Sequence, residues 1–179
     1  MYASLPGFGL SELGRSQAAL AARHLGSQPV VAVWSSPLER ALETAGILAR
    51  RFGVPVRADD RLTEWKLLDR WAGRAWAGLA TSFPGELDAY LEHPHMLGFS
   101  PESLSAMTSR IRGTVELLSE QHRDGDIVIV SHQDPVQAAR LSFAGRSLAD
   151  LHTDKPGHCS IITLRPAVGW EDLGMWTPE

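Results

Sequence analysis

Two side chains in this sequence stand where a chain handles an anion, and their surroundings say why. Arg40 follows the apolar run Val30 to Trp34 and the turn Ser35-Ser36-Pro37. Apolar residues between Pro29 and a Ser-Ser-Pro turn read as a short buried strand. Pro37 then opens a helix where proline's fixed φ is tolerated. Arg40 thus lies in the first turn of a helix that begins at the carboxyl end of a strand. Helix amides and a guanidinium converge there on an anion, and open α/β sheets bind ligands at that edge. His132 ends a second run, Ile127 to Val130 then Ser131, so its imidazole should project at the same edge. Each has a plainer alternative, a solvated helix arginine and a structural histidine.

The order of motifs adds a resemblance. Ser35-Ser36-Pro37-Leu38-Glu39-Arg40-Ala41-Leu42-Glu43-Thr44-Ala45 resembles the second phosphate-binding segment of the histidine phosphatase superfamily, the phosphoglycerate-mutase-like proteins. Leu10-Ser11-Glu12-Leu13-Gly14-Arg15-Ser16-Gln17-Ala18 is similar to that family's first helix, and Asp60-Arg61-Leu62-Thr63-Glu64 to its Arg-Leu-x-Glu segment. Pro101-Glu102-Ser103 resembles its Gly-Glu-Ser turn, and Val128-Ile129-Val130-Ser131-His132 its late strand ending in Ser-His. Five motifs in order, from about Leu5 to Leu164, are far more specific than any one. The resemblance implies phosphomonoester hydrolysis through a phosphohistidine, with no cofactor or metal. Arg40 and His132 would bind the transferring phosphoryl group as preorganised donors, and Glu64 would protonate the leaving oxygen. A carboxyl beside Trp65 could have its pKa raised toward that role. The family's Gly-x-x-Glu-Gly segment has no acid here, where Trp71 to Gly78 keeps the glycines and a tryptophan. A solvated loop glutamate therefore stays open beside the acid role.

One motif has no counterpart. The family's nucleophile lies in an Arg-His-Gly triplet at the end of a first strand, and only Met1 to Gly9 precede the first helix here. Arg23-His24 is followed by Leu25 and reads as a polar helix face near a C-terminus. The expectation is therefore an N-terminally incomplete domain, its first central strand missing and the 179-residue chain inactive as given. The gap predicts exposed apolar surface or a homodimer. Two functions stay open: a phosphatase once that strand is supplied, or a pseudophosphatase that binds a phosphorylated ligand or protein without turnover.

The elements that must position these residues follow from periodicity. A helix is expected from Ser11 to Gly26, a strand at Val30–Trp34, a helix from Pro37 to about Phe52 stopped by Gly53, and a short edge strand at Val54–Val56. Residues 60–100 read as irregular, with 65–100 a cap or specificity insertion packed by Trp65, Trp71 and Trp76. A helix from Glu102 to about His122, a strand Ile127–Val130, a helix near Pro135 and a last strand Cys159–Leu164 complete the pattern. This alternation predicts one three-layer α/β/α domain over residues 1–179 with a mostly parallel sheet.

Composition bounds the rest. A net charge of −4 without a basic block argues against nucleic acid. No run approaches the ~20 apolar residues of a membrane span, and no secretory pattern is visible, so a cytoplasmic protein with a small phosphorylated substrate or inorganic phosphate as partner is expected. The single cysteine, Cys159, excludes an internal disulfide and reads as a buried strand thiol. His93-Pro94-His95 lacks further ligands at metal-site spacing. Ser131 cannot form a triad with His132, since strand neighbours point to opposite faces.

Overall fold

Ser11 caps the first helix, its hydroxyl accepting the Gly14 amide at 3.1 Å, and α1 runs over Glu12–His24. In the computed structural model, which describes residues 1–178, β1 (Val30–Ser35) follows. The second helix, α2 (Glu39–Phe52), begins two residues later than Pro37. The reason is local: Ser36 Oγ accepts the Leu38 amide at 3.3 Å, so Ser36 to Leu38 form a turn and Leu38 becomes the cap. Arg40 remains in the first helical turn. Gly53 ends α2 at φ 68°, the left-handed cap that glycine adopts without a Cβ clash.

The edge strand β2 (Val56–Ala58) lies slightly beyond its expected position and pairs parallel to β1. Residues 65–100 are less irregular than expected, since they hold α3 (Leu67–Arg70), α4 (Leu79–Ser82) and α5 (Glu86–Glu92). These helices are too short for a periodic stripe to reveal. The long helix α6 (Leu104–Gln121) starts after Ser103, whose hydroxyl accepts the Ala106 amide at 3.1 Å. Strand β3 (Asp126–Val130) and α7 (Gln133–Phe143) match their expected places closely.

The C-terminus departs most. The last expected strand begins not at Cys159 but at Ile161, as β4 (Ile161–Ala167), and turns into a further strand, β5 (Gly169–Trp176). Cys159 sits in the preceding loop at φ 56° and is half-exposed, so it is not a buried strand thiol. The two strands pair antiparallel as a separate ribbon, whereas the main sheet is parallel in the order β2-β1-β3.

Side-chain alternation builds three layers. Val33 of β1 and Val128 and Val130 of β3 pack against α2 through Ala45 and Ala49. Trp34 and Ile129 point the other way, to Ile111 of α6 and Ala139 and Phe143 of α7. The ribbon joins both layers: Ile161 and Trp176 pack with Ala21 and Ala22 of α1, while Leu164 and Trp170 join the α6–α7 side. Segment 65–100 has its own apolar cluster, with Trp65 and Trp71 fully buried against Leu104, Met107 and Ala138. Trp76 departs from its expected packing role, being 46% exposed. Among the described residues no helix is long and apolar enough to cross a membrane.

Two glycines test this packing in opposite directions. A Cβ on Gly125 would lie 2.5 Å from Val31 Cγ1 and 2.6 Å from the Pro29 carbonyl oxygen, whereas one on Gly113, on the exposed face of α6, meets nothing within 4 Å. Gly125→Ala should lower the thermal midpoint by about 3 °C or more, as overpacking against backbone does. Gly113→Ala should raise it by about 2 °C, because an exposed helical alanine avoids glycine's entropy cost. Melting curves of the two variants check both signs.

Candidate active site

Parallel pairing of β1 with β3 aligns Ser35 with Val130, so the segments after both strands leave the sheet together. The Ser36 amide donates to the Val130 carbonyl at 2.9 Å, extending the ladder one step beyond β1. One residue past Ser131, His132 Nε2 meets Ser36 Oγ at 2.7 Å. Arg40 comes from the helix that follows Ser36, and Glu64 from the loop after the 3-10 turn Asp60–Leu62. Glu64 Oε2 lies 3.7 Å from His132 Nδ1 and 4.0 Å from Arg40 Nη2. Three residues from three distant segments thus meet at one point on the carboxyl edge of the sheet. Glu64 is not a solvated loop residue: its side chain is only 12% exposed.

The depth of Glu64 has a structural cause. Arg110 of α6 pairs with Glu102, Nε to Oε1 and Nη2 to Oε2, both at 2.9 Å. Its Nη1 also donates to the carbonyls of Arg61 (2.7 Å) and Thr63 (3.0 Å). Glu102 in turn accepts the Lys66 amide at 3.3 Å, and its carbonyl accepts Trp65 Nε1 at 2.7 Å. The loop carrying Glu64 is therefore tied down on both sides. Ser131 belongs to the same scaffold, its hydroxyl donating to the Leu62 carbonyl at 2.7 Å.

Burial sets the protonation states. Desolvation pushes the Glu64 carboxyl up to about 8, with Asp134 adding repulsion and the Trp65 amide, Arg40 and Lys155 opposing. His132 is driven down to about 3, first by burial and then by Arg40 and Arg110. Burial also pulls Arg40 below its ordinary value. At neutral pH Glu64 is thus largely protonated and His132 neutral. Their contact is an acid facing an imidazole, not an ion pair. The one fixed positive charge at the point of convergence is Arg40, so the site is poised for an anion.

The sequence over residues 2–176 matches the model of the histidine phosphatase superfamily, branch 1. The chain belongs to that superfamily. Among its relatives, phosphoserine phosphatase 1 of Hydrogenobacter thermophilus is 31% identical over 143 residues, 78% of this chain and 66% of that protein. Glucosyl-3-phosphoglycerate phosphatase of Mycobacterium tuberculosis is 37% identical over 131 residues, 69% of this chain and 58% of that protein. Against these two curated relatives the match spans just under two thirds of their length or less. A solved complex of mycobacterial glucosyl-3-phosphoglycerate phosphatase with inorganic phosphate superposes with a TM-score of 0.85, at 29% identity, over 99% of this chain and 91% of that one.

The histidine phosphatase motifs pointed to Arg40, His132 and Glu64, and the fold brings all three together. Sequence reading missed Ser36 as the partner of His132, the Glu102–Arg110 clamp, and a buried group formed by Tyr90, Asp134 and Lys155. Asp134 is 3% exposed. It accepts the Tyr90 hydroxyl at 3.0 Å and pairs with Lys155 Nζ. A helix-start aspartate next to Ser-His was a visible signal, but its partners lie 44 and 21 residues away in chain positions that no motif marks.

Linkage gives the site a measurable signature. The raised Glu64 pKa means the folded state holds a proton that the unfolded chain releases, so stability falls as pH climbs from about 4.5 to about 8. Glu64→Gln removes that loss. Its thermal midpoint should exceed wild type by a few degrees at pH 8 and by much less at pH 5, read by parallel melts. An equal shift at both pH values would show that the carboxyl titrates normally.

Proposed function

We propose that this chain binds the phosphoryl group of a phosphomonoester between Arg40 and His132, with Glu64 as proton donor to the leaving oxygen. The observation that carries the reading is the convergence of these three side chains within 4.0 Å of the Glu64 carboxyl. A general acid must hold its proton near neutral pH and release it as charge builds on the leaving group, and a buried Glu64 meets that need. A neutral His132 donates one N–H to a phosphoryl oxygen, and the arriving anion raises its affinity for a second proton. Arg40, set at the N-terminus of α2, adds a fixed charge to the helix amides.

Turnover through phosphohistidine needs an imidazole in line behind the phosphorus. His132 is a donor beside the phosphoryl group in this reading. Among the other histidines, His24 stacks on Trp176, His122 packs edge-on against Trp34, and His152 Nε2 meets the Tyr90 carbonyl. We therefore propose that the nucleophile belongs on an Arg-His-Gly strand seated between β3 and β4. Both strands line shared apolar clusters there without pairing with each other. Such a strand would join the parallel sheet to the ribbon and satisfy two rows of edge amides.

The 179-residue chain should bind inorganic phosphate by titration calorimetry, and Arg40→Ala and His132→Ala should each weaken binding about tenfold or more, as loss of a charge-assisted hydrogen bond does. It should hydrolyse p-nitrophenyl phosphate negligibly. Extending it with a strand ending in Arg-His-Gly should give EDTA-resistant turnover that His132→Ala largely abolishes. Ready hydrolysis by the 179-residue chain, lost in His132→Ala, would make another residue the nucleophile. An extended chain without turnover would favour ligand binding as the function.

A further inference from the structure

Beside Glu64 lies a cavity of about 250 Å³ whose apolar lining includes Leu68, Trp76 and Leu91 and whose polar lining is Tyr90, Gln133, Asp134, His152 and Lys155. It adjoins the one residue that would touch the leaving oxygen, so whatever that oxygen carries extends into it. Tyr90, Asp134 and Lys155 form a closed set of polar partners. Tyr90 Oη donates to Asp134 Oδ2 at 3.0 Å and accepts from Lys155 Nζ at 3.1 Å, while Lys155 Nζ also pairs with Asp134 Oδ1. The charge of Lys155 is thus matched by a buried carboxylate.

Lys155 is also held there by construction. Three side chains on one face of α7 bind carbonyls on both sides of Lys155: Gln137 Nε2 to Thr153 at 2.7 Å, Arg140 Nη1 to Asp154 at 3.5 Å, and Gln133 Nε2 to Pro156 at 2.7 Å. Arg140 is itself fixed by Asp172 at 2.7 Å. Asp154, at φ 50°, turns the loop so that Lys155 faces inward. Such stapling fixes the ammonium on Asp134 and leaves it little freedom to swing toward a ligand.

Resting on the phosphoryl-site reading above, we infer that this cavity is the leaving-group subsite and that the Asp134–Lys155 pair makes it select compact, uncharged alcohols and phenols over alcohols bearing a carboxylate. A carboxylate entering the cavity finds Lys155 already paired with Asp134, Gln133 Nε2 committed to the Pro156 carbonyl, His152 on the Tyr90 carbonyl with burial disfavouring its charged form, and the Asp134 charge itself. A phenyl ring finds Trp76, Leu68 and Leu91. The volume admits a single ring or a short chain and little more.

Because the 179-residue chain should not turn esters over, the esters themselves serve as ligands. Calorimetric titration with inorganic phosphate, phenyl phosphate and phosphoglycolate separates the two readings. Phenyl phosphate should bind about tenfold more tightly than phosphoglycolate, whose leaving group carries a carboxylate and no amine, the scale of one unmatched charge in a partly closed site. Asp134→Asn frees the ammonium and should narrow that ratio at least about fivefold, whereas Lys155→Met leaves Asp134 bare and should widen it. Circular dichroism confirms that each variant is folded, and either variant alone tests the claim. Equal binding of the two esters by wild type, or a ratio that neither variant moves, overturns the inference. Phosphate binding without any gain from the phenyl group overturns the subsite while leaving the phosphoryl site intact. No phosphate binding at all overturns both.

Discussion

The parallel register of β1 on β3 is the constraint on which the rest depends. Ser35 opposite Val130 sends Ser36 and His132 out of the sheet side by side, and the Ser36 amide locks the two exits together at 2.9 Å. A slip of one residue would turn Val33 and Val128 from the α2 side toward α6 and α7 and separate Ser36 from His132. The hydrophobic pattern that buries both faces of β1 and β3 is therefore also what aligns the functional groups. On the other edge of β1, parallel pairing with β2 places Asp59 beside Ser35, whose carbonyl accepts the Asp59 amide at 2.9 Å. That bond starts the path toward Glu64.

Glu64 depends on a second constraint, supplied by a pair of charges that do no chemistry themselves. Glu102 and Arg110 neutralise each other and spend their remaining bonding capacity on backbone groups of residues 61–66. A loop so bound cannot lift its glutamate into water, where a carboxyl would return to an ordinary pKa. Burial alone does not make an acid, since an unsupported buried carboxyl would pull its loop open to hydrate. The clamp converts burial into a standing bias on the proton.

Most of this was legible in the sequence where local chemistry and tertiary structure agree. The strands Val30–Ser35 and Asp126–Val130 and the helices that follow them are bounded by proline, glycine and turn signals, and their positions carry Arg40 and His132 with them. Boundaries failed where a side chain competed for the helix start. Ser36 bonding the Leu38 amide and Ser103 capping at Ala106 each delayed a helix by two residues. The hairpin partner Gly169–Trp176 escaped notice because Gly169 and Gly174, at φ 99° and 115°, break the run that would have read as a strand. The short helices of 67–92 hold no full period, so only the contacts of Trp65, Trp71 and Tyr90 define them. The Tyr90–Asp134–Lys155 group lay outside any motif for the same reason: proximity across the fold has no local spacing.

That group joins acid strength to ligand choice through one carboxylate. Asp134 raises the proton affinity of Glu64 by repulsion, and Lys155 lowers it. As long as the two charges stay paired, Glu64 feels them nearly as a dipole, and burial dominates its proton affinity. A ligand carboxylate that drew Lys155 away would leave Asp134 uncompensated and add its own charge beside Glu64. Both effects would tighten the proton that Glu64 gives up in the proposed reaction. A neutral leaving group leaves the pair closed and the acid as burial set it. On the proposed reading, the buried pair would oppose charged leaving groups twice, once in binding and again in the proton transfer that would follow.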